Sequence, residues 1–234
     1  LPEKGLGSAI GQDEELTQLI TSWVKTVVSI PVIVKLTPNV TDIVKLAVAA
    51  EKGGADGLAA INTVQCLSAI DLDTFAPLPA VNGFSTFGGL SGPAVKPIGL
   101  RCVAQISQAS KLPVSGLGGV SSWKEAVEYM LADAGNVQIC TEVMLKGYGI
   151  IKGLTAGLAR YLKDKGFPRV SGLRGLALPK LTSHESLDRN CRVRPSVDPK
   201  TCNACGRCVT ACRDGGRNAL LIRDSRLVIN EITV

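Results

Sequence analysis

Four cysteines, Cys202, Cys205, Cys208 and Cys212, stand at the C-x2-C-x2-C-x3-C spacing that holds an iron–sulfur cluster. A tight loop with thiolates every third residue can wrap three sulfurs around three iron corners of a cubane. Arg207 and the amides of Asn203 and Gly206 then lower the cost of the cluster's negative charge. A structural zinc site is the alternative, but such sites usually pair two C-x2-C knuckles across a longer loop. In two-cluster ferredoxins the fourth cysteine of such a run ligates the other cluster, so Cys212 needs further partners. None follows before Val234, and Arg213 stands where the bacterial run usually has proline. The sequence is therefore expected to be cut short at this end; Cys191 as a local substitute ligand is the alternative.

A second group of candidate residues falls at the ends of predicted strands. Gly116-Leu117-Gly118-Gly119 closes one strand and precedes a helix, a turn whose exposed amides can cradle phosphate. Cys140 and Thr141 end the neighbouring strand. Together the two turns match the usual phosphate position of a (β/α)8 barrel and point to a phosphorylated cofactor, flavin mononucleotide (FMN) first. Lys35 lies within an apolar strand, where a buried lysine must pair or lose its charge. It reads as a cation facing an electron-rich cofactor, or as a lysine snorkelling from the strand end. Asn62 and Thr63 follow the next strand; they can read a planar donor–acceptor ligand such as a pyrimidine, or form an Asx-turn. His184, the single histidine, lies in a linker, and Cys66 and Cys102 read as small core residues. No Ser/His/Asp set and no paired carboxylates are found.

The elements that must position these groups alternate. Apolar residues recur at helical spacing from Asp13 to Val28, and Pro31–Leu36 is a short β-branched strand. Thr41 is placed to cap a helix from Asp42 to Lys52, and Gly57–Ile61 is the next strand. A Gly-rich passage, 62–92, leads to a helix over 94–109. Strands at 112–115 and 136–140 flank a helix that Ser122 and Glu125 open with a capping box. A helix over 148–165 ends at Gly166. Four strand–helix alternations predict a parallel sheet, either open and doubly wound or part of a (β/α)8 barrel. No G-x-G-x-x-G follows the first strand, and the functional groups sit at strand ends, so the C-terminal half of a (β/α)8 barrel is preferred. Prolines punctuate 167–200, read as a linker, and 201–234 reads as a small cluster segment with strands at 219–222 and 226–229. Residues 1–166 form the barrel part, and the chain is expected to lack its beginning.

Composition bounds the remaining classes. With 234 residues, 45% hydrophobic and only 4% aromatic, the core must be filled by Val, Ile, Leu and Ala. The net charge of +6 is concentrated between Phe167 and Arg217, a segment nearly free of aromatics. Nucleic-acid binding would interleave them; counter-charge for an anionic cluster, a surface for an acidic partner or a solvated linker fit better. No apolar run has the length of a membrane span, and no signal-peptide pattern opens the chain. Eight cysteines in this setting point to metal or redox chemistry in a reducing compartment, with the cytoplasm as the default.

VKLTPNVTDI (Val34–Ile43) with AINTV, and GGLSGPAVKPI (Gly88–Ile98) with GLGGV and VQICT, carry a family resemblance once the cysteine run is added. The chain resembles the dihydropyrimidine dehydrogenases, in particular the bacterial subunit that joins a flavin barrel to a ferredoxin-like tail. Dihydroorotate dehydrogenases share the barrel pieces without the appended run. The resemblance implies FMN and reduction of the 5,6 double bond of uracil or thymine. It places flavin contacts on Lys35, Gly92, Leu117, Gly118, Gly119, Cys140 and Thr141, and pyrimidine contacts on Asn62 and Thr63. It places [4Fe-4S] ligands on Cys202, Cys205, Cys208 and Cys212. It also implies a hetero-oligomer, with NAD(P)H and FAD on a partner flavoprotein subunit. The family's proton-donating cysteine falls before Leu1, so no catalytic acid is expected within this sequence. A dihydroorotate dehydrogenase-like flavoenzyme and a non-catalytic electron-transfer subunit are the alternatives.

Overall fold

Short apolar runs alternate with helices that have one apolar face, and burying both at once requires a sheet with helices packed against it. The computed structural model describes residues 7–188 and 195–230. It divides into two units, Leu1–Leu181 and Thr182–Val234. In the first, α1 (Glu14–Val27) is followed by β1 (Ile33–Leu36), α2 (Ile43–Lys52) and β2 (Gly57–Ala60). An excursion then carries β3 (Val64–Cys66), β4 (Ala69–Ile70), β5 (Pro77–Leu78) and β6 (Gly88–Leu90). The alternation resumes with α3 (Lys96–Ala109), β7 (Val114–Leu117), α4 (Trp123–Leu131), β8 (Ala134–Gln138), α5 (Thr141–Lys146) and α6 (Ile150–Lys165).

The helix starts are set by side chains. Asp13 accepts the Leu16 amide at 2.9 Å to open α1. The cap of α2 is Asp42 rather than Thr41: its extended backbone lets the carboxylate accept the Val44 amide at 3.0 Å. The expected Ser122–Glu125 capping box opens α4, and α6 ends at Gly166 with φ +74°.

Strands β1, β2, β7 and β8 form one parallel sheet in that order. Spatial order follows chain order without reversal, which is how units adjoin in a (β/α)8 barrel and not at the switch point of a doubly wound sheet. Leu36, Leu46, Leu58, Val103, Ile106 and Tyr129 fill the core between this sheet and its helices. Lys35 pairs with Ala59, Ala59 with Ser115, and Ser115 with Asn136, so these four share the other face. Lys35 is exposed there, not buried as its apolar neighbours suggested.

The Gly-rich passage holds more order than expected: β3 pairs with β6 and β4 with β5, both antiparallel. Cys66 lies in β3, half-buried and outside the core, whereas Cys102 is a core residue as expected. The stretch read as a linker from Phe167 stays with the first unit as far as Leu181. Leu173 is fully buried against Val127 and Met130, with Phe167 and Val170 packed beside it. The amides of Gly175 and Ala177 bind the carbonyls of Met130 and Leu131. Irregular 3-10 turns bury these residues, and no helical or strand period announces them.

In the second unit, α7 (Arg207–Asp214) precedes an antiparallel hairpin of β9 (Leu220–Arg223) and β10 (Arg226–Ile229). Asp224 and Ser225 turn it, both at positive φ, as a two-residue hairpin with the twist of its strands requires. Among the described residues no helix is long and apolar enough to cross a membrane.

Candidate functional site

A cleft of about 380 Å³ opens at the C-terminal ends of the parallel strands. Lys35, Asn62, Thr63, Gly92, Leu117, Gly118, Gly119, Cys140 and Thr141 all line it, brought together from five separate segments. The ladder fixes their bases. Asn62 donates its amide to the Leu36 carbonyl, and Ile61 donates to the Leu117 carbonyl, each at 2.9 Å. The two residues after β2 are thereby held to the strands on either side, β7 and β1.

The turn after β7 is built of left-handed glycines. Gly118 has φ +118° and Gly119 φ +71°, values that L side chains rarely adopt. A Cβ on Gly119 would sit 2.8 Å from the Gly92 carbonyl oxygen, so the turns at Gly92 and Gly119 touch because Gly119 has no side chain. Among the described residues the amides of Gly118, Gly119 and Val120 have no protein acceptor. Next to them α5 begins at Thr141 without a side-chain cap, which leaves its first amides open as well. Unpartnered N–H groups from two turns make this end of the cleft suited to an anion.

Lys35 contributes an exposed ammonium and, among the described residues, has no ion-pair partner. The side-chain Oδ1 of Asn62 accepts the amide of the next residue, Thr63, at 2.8 Å, one residue short of the Asx-turn weighed from the sequence, and its Nδ2 remains a donor. The Thr63 side chain crowds Gly89, where a Cβ would lie 2.2 Å from the Thr63 hydroxyl oxygen. Asn39 braces this loop, donating to the Thr63 carbonyl at 3.0 Å and accepting the Gln65 amide at 2.8 Å.

Four polar lining residues, Ser91, Ser121, Gln138 and Glu142, escaped the sequence reading. Gln138 donates to Ser115 Oγ at 2.9 Å, and the Ser115 hydroxyl in turn donates to Asn136 Oδ1. Polar residues at alternate positions of a strand, Asn136 and Gln138, were the available signal. Ser91 and the buried Glu142 also face the cleft, Glu142 paired with Lys146. His184 is exposed.

In the second unit, α7 places Cys208 and Cys212 on one face, four residues apart. Gly206 and Ala204, both at positive φ, bend the chain between Cys202, Cys205 and this helix. Cys212 Sγ accepts the Ala219 amide at 3.3 Å. Among the described residues no three ligating side chains converge, and these four thiols stay free. Cys191 lies outside the described residues.

A parallel α/β sheet in chain order, with open amides and a cation at its strand ends, is the arrangement of the (β/α)-barrel class. Residues 2–162 match the dihydroorotate dehydrogenase family, and the chain belongs to that family. It is 41% identical over 218 residues to the NAD-dependent dihydropyrimidine dehydrogenase subunit PreA of Escherichia coli K12, covering 92% of this chain and 53% of that protein. The chloroplastic dihydropyrimidine dehydrogenase (NADP(+)) of Arabidopsis thaliana is 39% identical over 193 residues, 80% of this chain and 45% of the relative. The catalytic subunit of dihydroorotate dehydrogenase B (NAD(+)) from Pyrococcus horikoshii is 47% identical over 175 residues, 75% of this chain and 56% of the relative. The chain spans about half the length of the curated relatives it matches.

Proposed function

We propose that this chain is part of an oxidoreductase that reduces the 5,6 double bond of uracil or thymine to the dihydropyrimidine, with NAD(P)H as the source of electrons. The observation that carries the reading is the convergence of nine residues from five segments on one cleft at the strand ends. Its amide-lined end suits the phosphate of FMN, through Gly92, Leu117, Gly118, Gly119, Cys140 and Thr141. Lys35 supplies positive charge beside the ring, and Asn62 and Thr63 hold the pyrimidine. Bound FMN supplies the hydride chemistry; the chain's residues bind, orient and compensate charge.

Cys202, Cys205, Cys208 and Cys212 form a soft donor set suited to iron, and Cys212 Sγ accepts the Ala219 amide, a hydrogen bond of the kind that surrounds cluster sulfurs. They would hold a [4Fe-4S] cluster, which supplies one-electron transfer, within a small domain beginning near Thr201. The match along most of the chain to a protein named as a dehydrogenase subunit supports a hetero-oligomer with an NAD(P)H-oxidising flavoprotein. A cytoplasmic location accords with the cysteine usage. A second reading, dihydroorotate oxidation, is favoured by the 47% identity to the archaeal catalytic subunit.

Visible spectra, iron analysis and turnover of the full-length protein test these together. A bound flavin, iron, and reduction of uracil or thymine but not orotate are expected. Orotate turnover would favour the second reading, and a preparation without flavin would refute both.

A further inference from the structure

Tyr129 is fully buried, yet its hydroxyl ends at the glycine turn of the cleft. It donates to the Gly118 carbonyl oxygen at 2.8 Å and lies 3.2 Å from that of Leu117. Room for the ring comes from two glycines. A Cβ on Gly99 would sit 2.0 Å from the hydroxyl oxygen, and one on Gly116 would sit 2.6 Å from Cδ1. Burial, with the neighbouring Cys102 and Glu128, pushes the phenol's pKa up, so it stays a donor across the working pH range.

Peptide planarity gives that hydrogen bond a consequence across the turn. In a trans peptide the carbonyl of one residue and the N–H of the next point in opposite directions. Drawing the Gly118 carbonyl inward to Tyr129 therefore turns the Gly119 N–H away from the core. The Leu117 carbonyl is held from the β2 side by the Ile61 amide at 2.9 Å, which sends the Gly118 N–H toward the β8 side of the turn. Glycines hold their φ and ψ only loosely, so these amides need such anchors to keep their directions.

We infer that Tyr129 is a positioning residue for the anion end of the cleft, fixing the amides of Gly118 and Gly119 toward a phosphate without touching it. The inference rests on the FMN reading of the cleft. It is tested by titrating flavin-free full-length protein with FMN and with riboflavin, which lacks the phosphate, following flavin fluorescence. Tyr129→Phe should weaken FMN by about tenfold, the loss of one buried hydrogen bond, and change riboflavin by less than about twofold. Gly99→Ala, which pushes on the hydroxyl while keeping it, should give the same selective loss and serves if Tyr129→Phe fails to fold. Equal weakening of both flavins, or of neither, would overturn the inference. Unsubstituted protein that binds neither flavin would instead overturn the reading of the cleft, and the inference with it.

Discussion

The Thr141 hydroxyl donates to Ser91 Oγ at 3.0 Å, joining residues fifty apart in sequence. One opens α5 and the other follows β6, and both line the cleft. The bond thus ties the excursion between β2 and α3 to the far edge of the parallel sheet. Replacing Thr141 by Val keeps the shape and removes the donor. Because the pair is exposed, stability should change by less than about 0.5 kcal/mol. Flavin release, followed by fluorescence after dilution, should quicken severalfold; an unchanged release rate would show that this tie does not shape the cleft.

Lys35 brings an ammonium to the cleft with no carboxylate paired to it among the described residues. A positive charge placed where negative charge develops is worth more to turnover than to binding. Lys35→Met should lower kcat by on the order of a hundredfold while the fold and iron content stay as they are. Steady-state kinetics with parallel iron analysis checks this, and a variant with undiminished kcat would remove Lys35 from the machinery.

What the sequence shows and what it conceals divide along physical lines. Period and capping are local, so the strands, the Ser122–Glu125 box and the Gly166 stop can be read directly. Eight residues were legible at strand ends because barrels gather function at one rim, Gly92 came only from the family resemblance, and all nine reach the cleft. Burial depends on what packs opposite, and so Lys35, flanked by apolar residues, proved exposed. Leu173 was hidden for the converse reason: its burial against Val127 and Met130 is tertiary and carries no period. Gln138 and Glu142 face the cleft through register and helix phase, which single positions do not reveal.

Gly157 of α6 marks the closest approach of that helix to α4. A Cβ there would meet Trp123 Cδ1 at 2.1 Å, and Trp123 is itself held by Tyr161 with ring centroids 5.5 Å apart. The indole has little freedom to move aside, so Gly157→Ala overpacks the contact. A loss of about 1–3 kcal/mol is expected, well beyond the small gain in helix propensity. Urea denaturation measures it, and an unchanged or raised midpoint would mean that the two helices can part at little cost.

Glu125 gives the first unit an acid-sensitive joint. Burial raises its pKa, but hydrogen bonds from the Ser122 hydroxyl and backbone, with the Lys96 charge nearby, outweigh it and leave the carboxyl below its ordinary 4.5. A carboxylate with a depressed folded pKa contributes stability that is present above the unfolded value and is lost as pH falls through the folded one. Glu125→Gln should therefore be less stable than the parent at neutral pH, and the gap should close in acid as the parent's carboxyl protonates. Urea midpoints of both proteins at neutral pH and near pH 3 test the sign, and a gap of the same size at both would show that the charge on Glu125 contributes nothing to the start of α4.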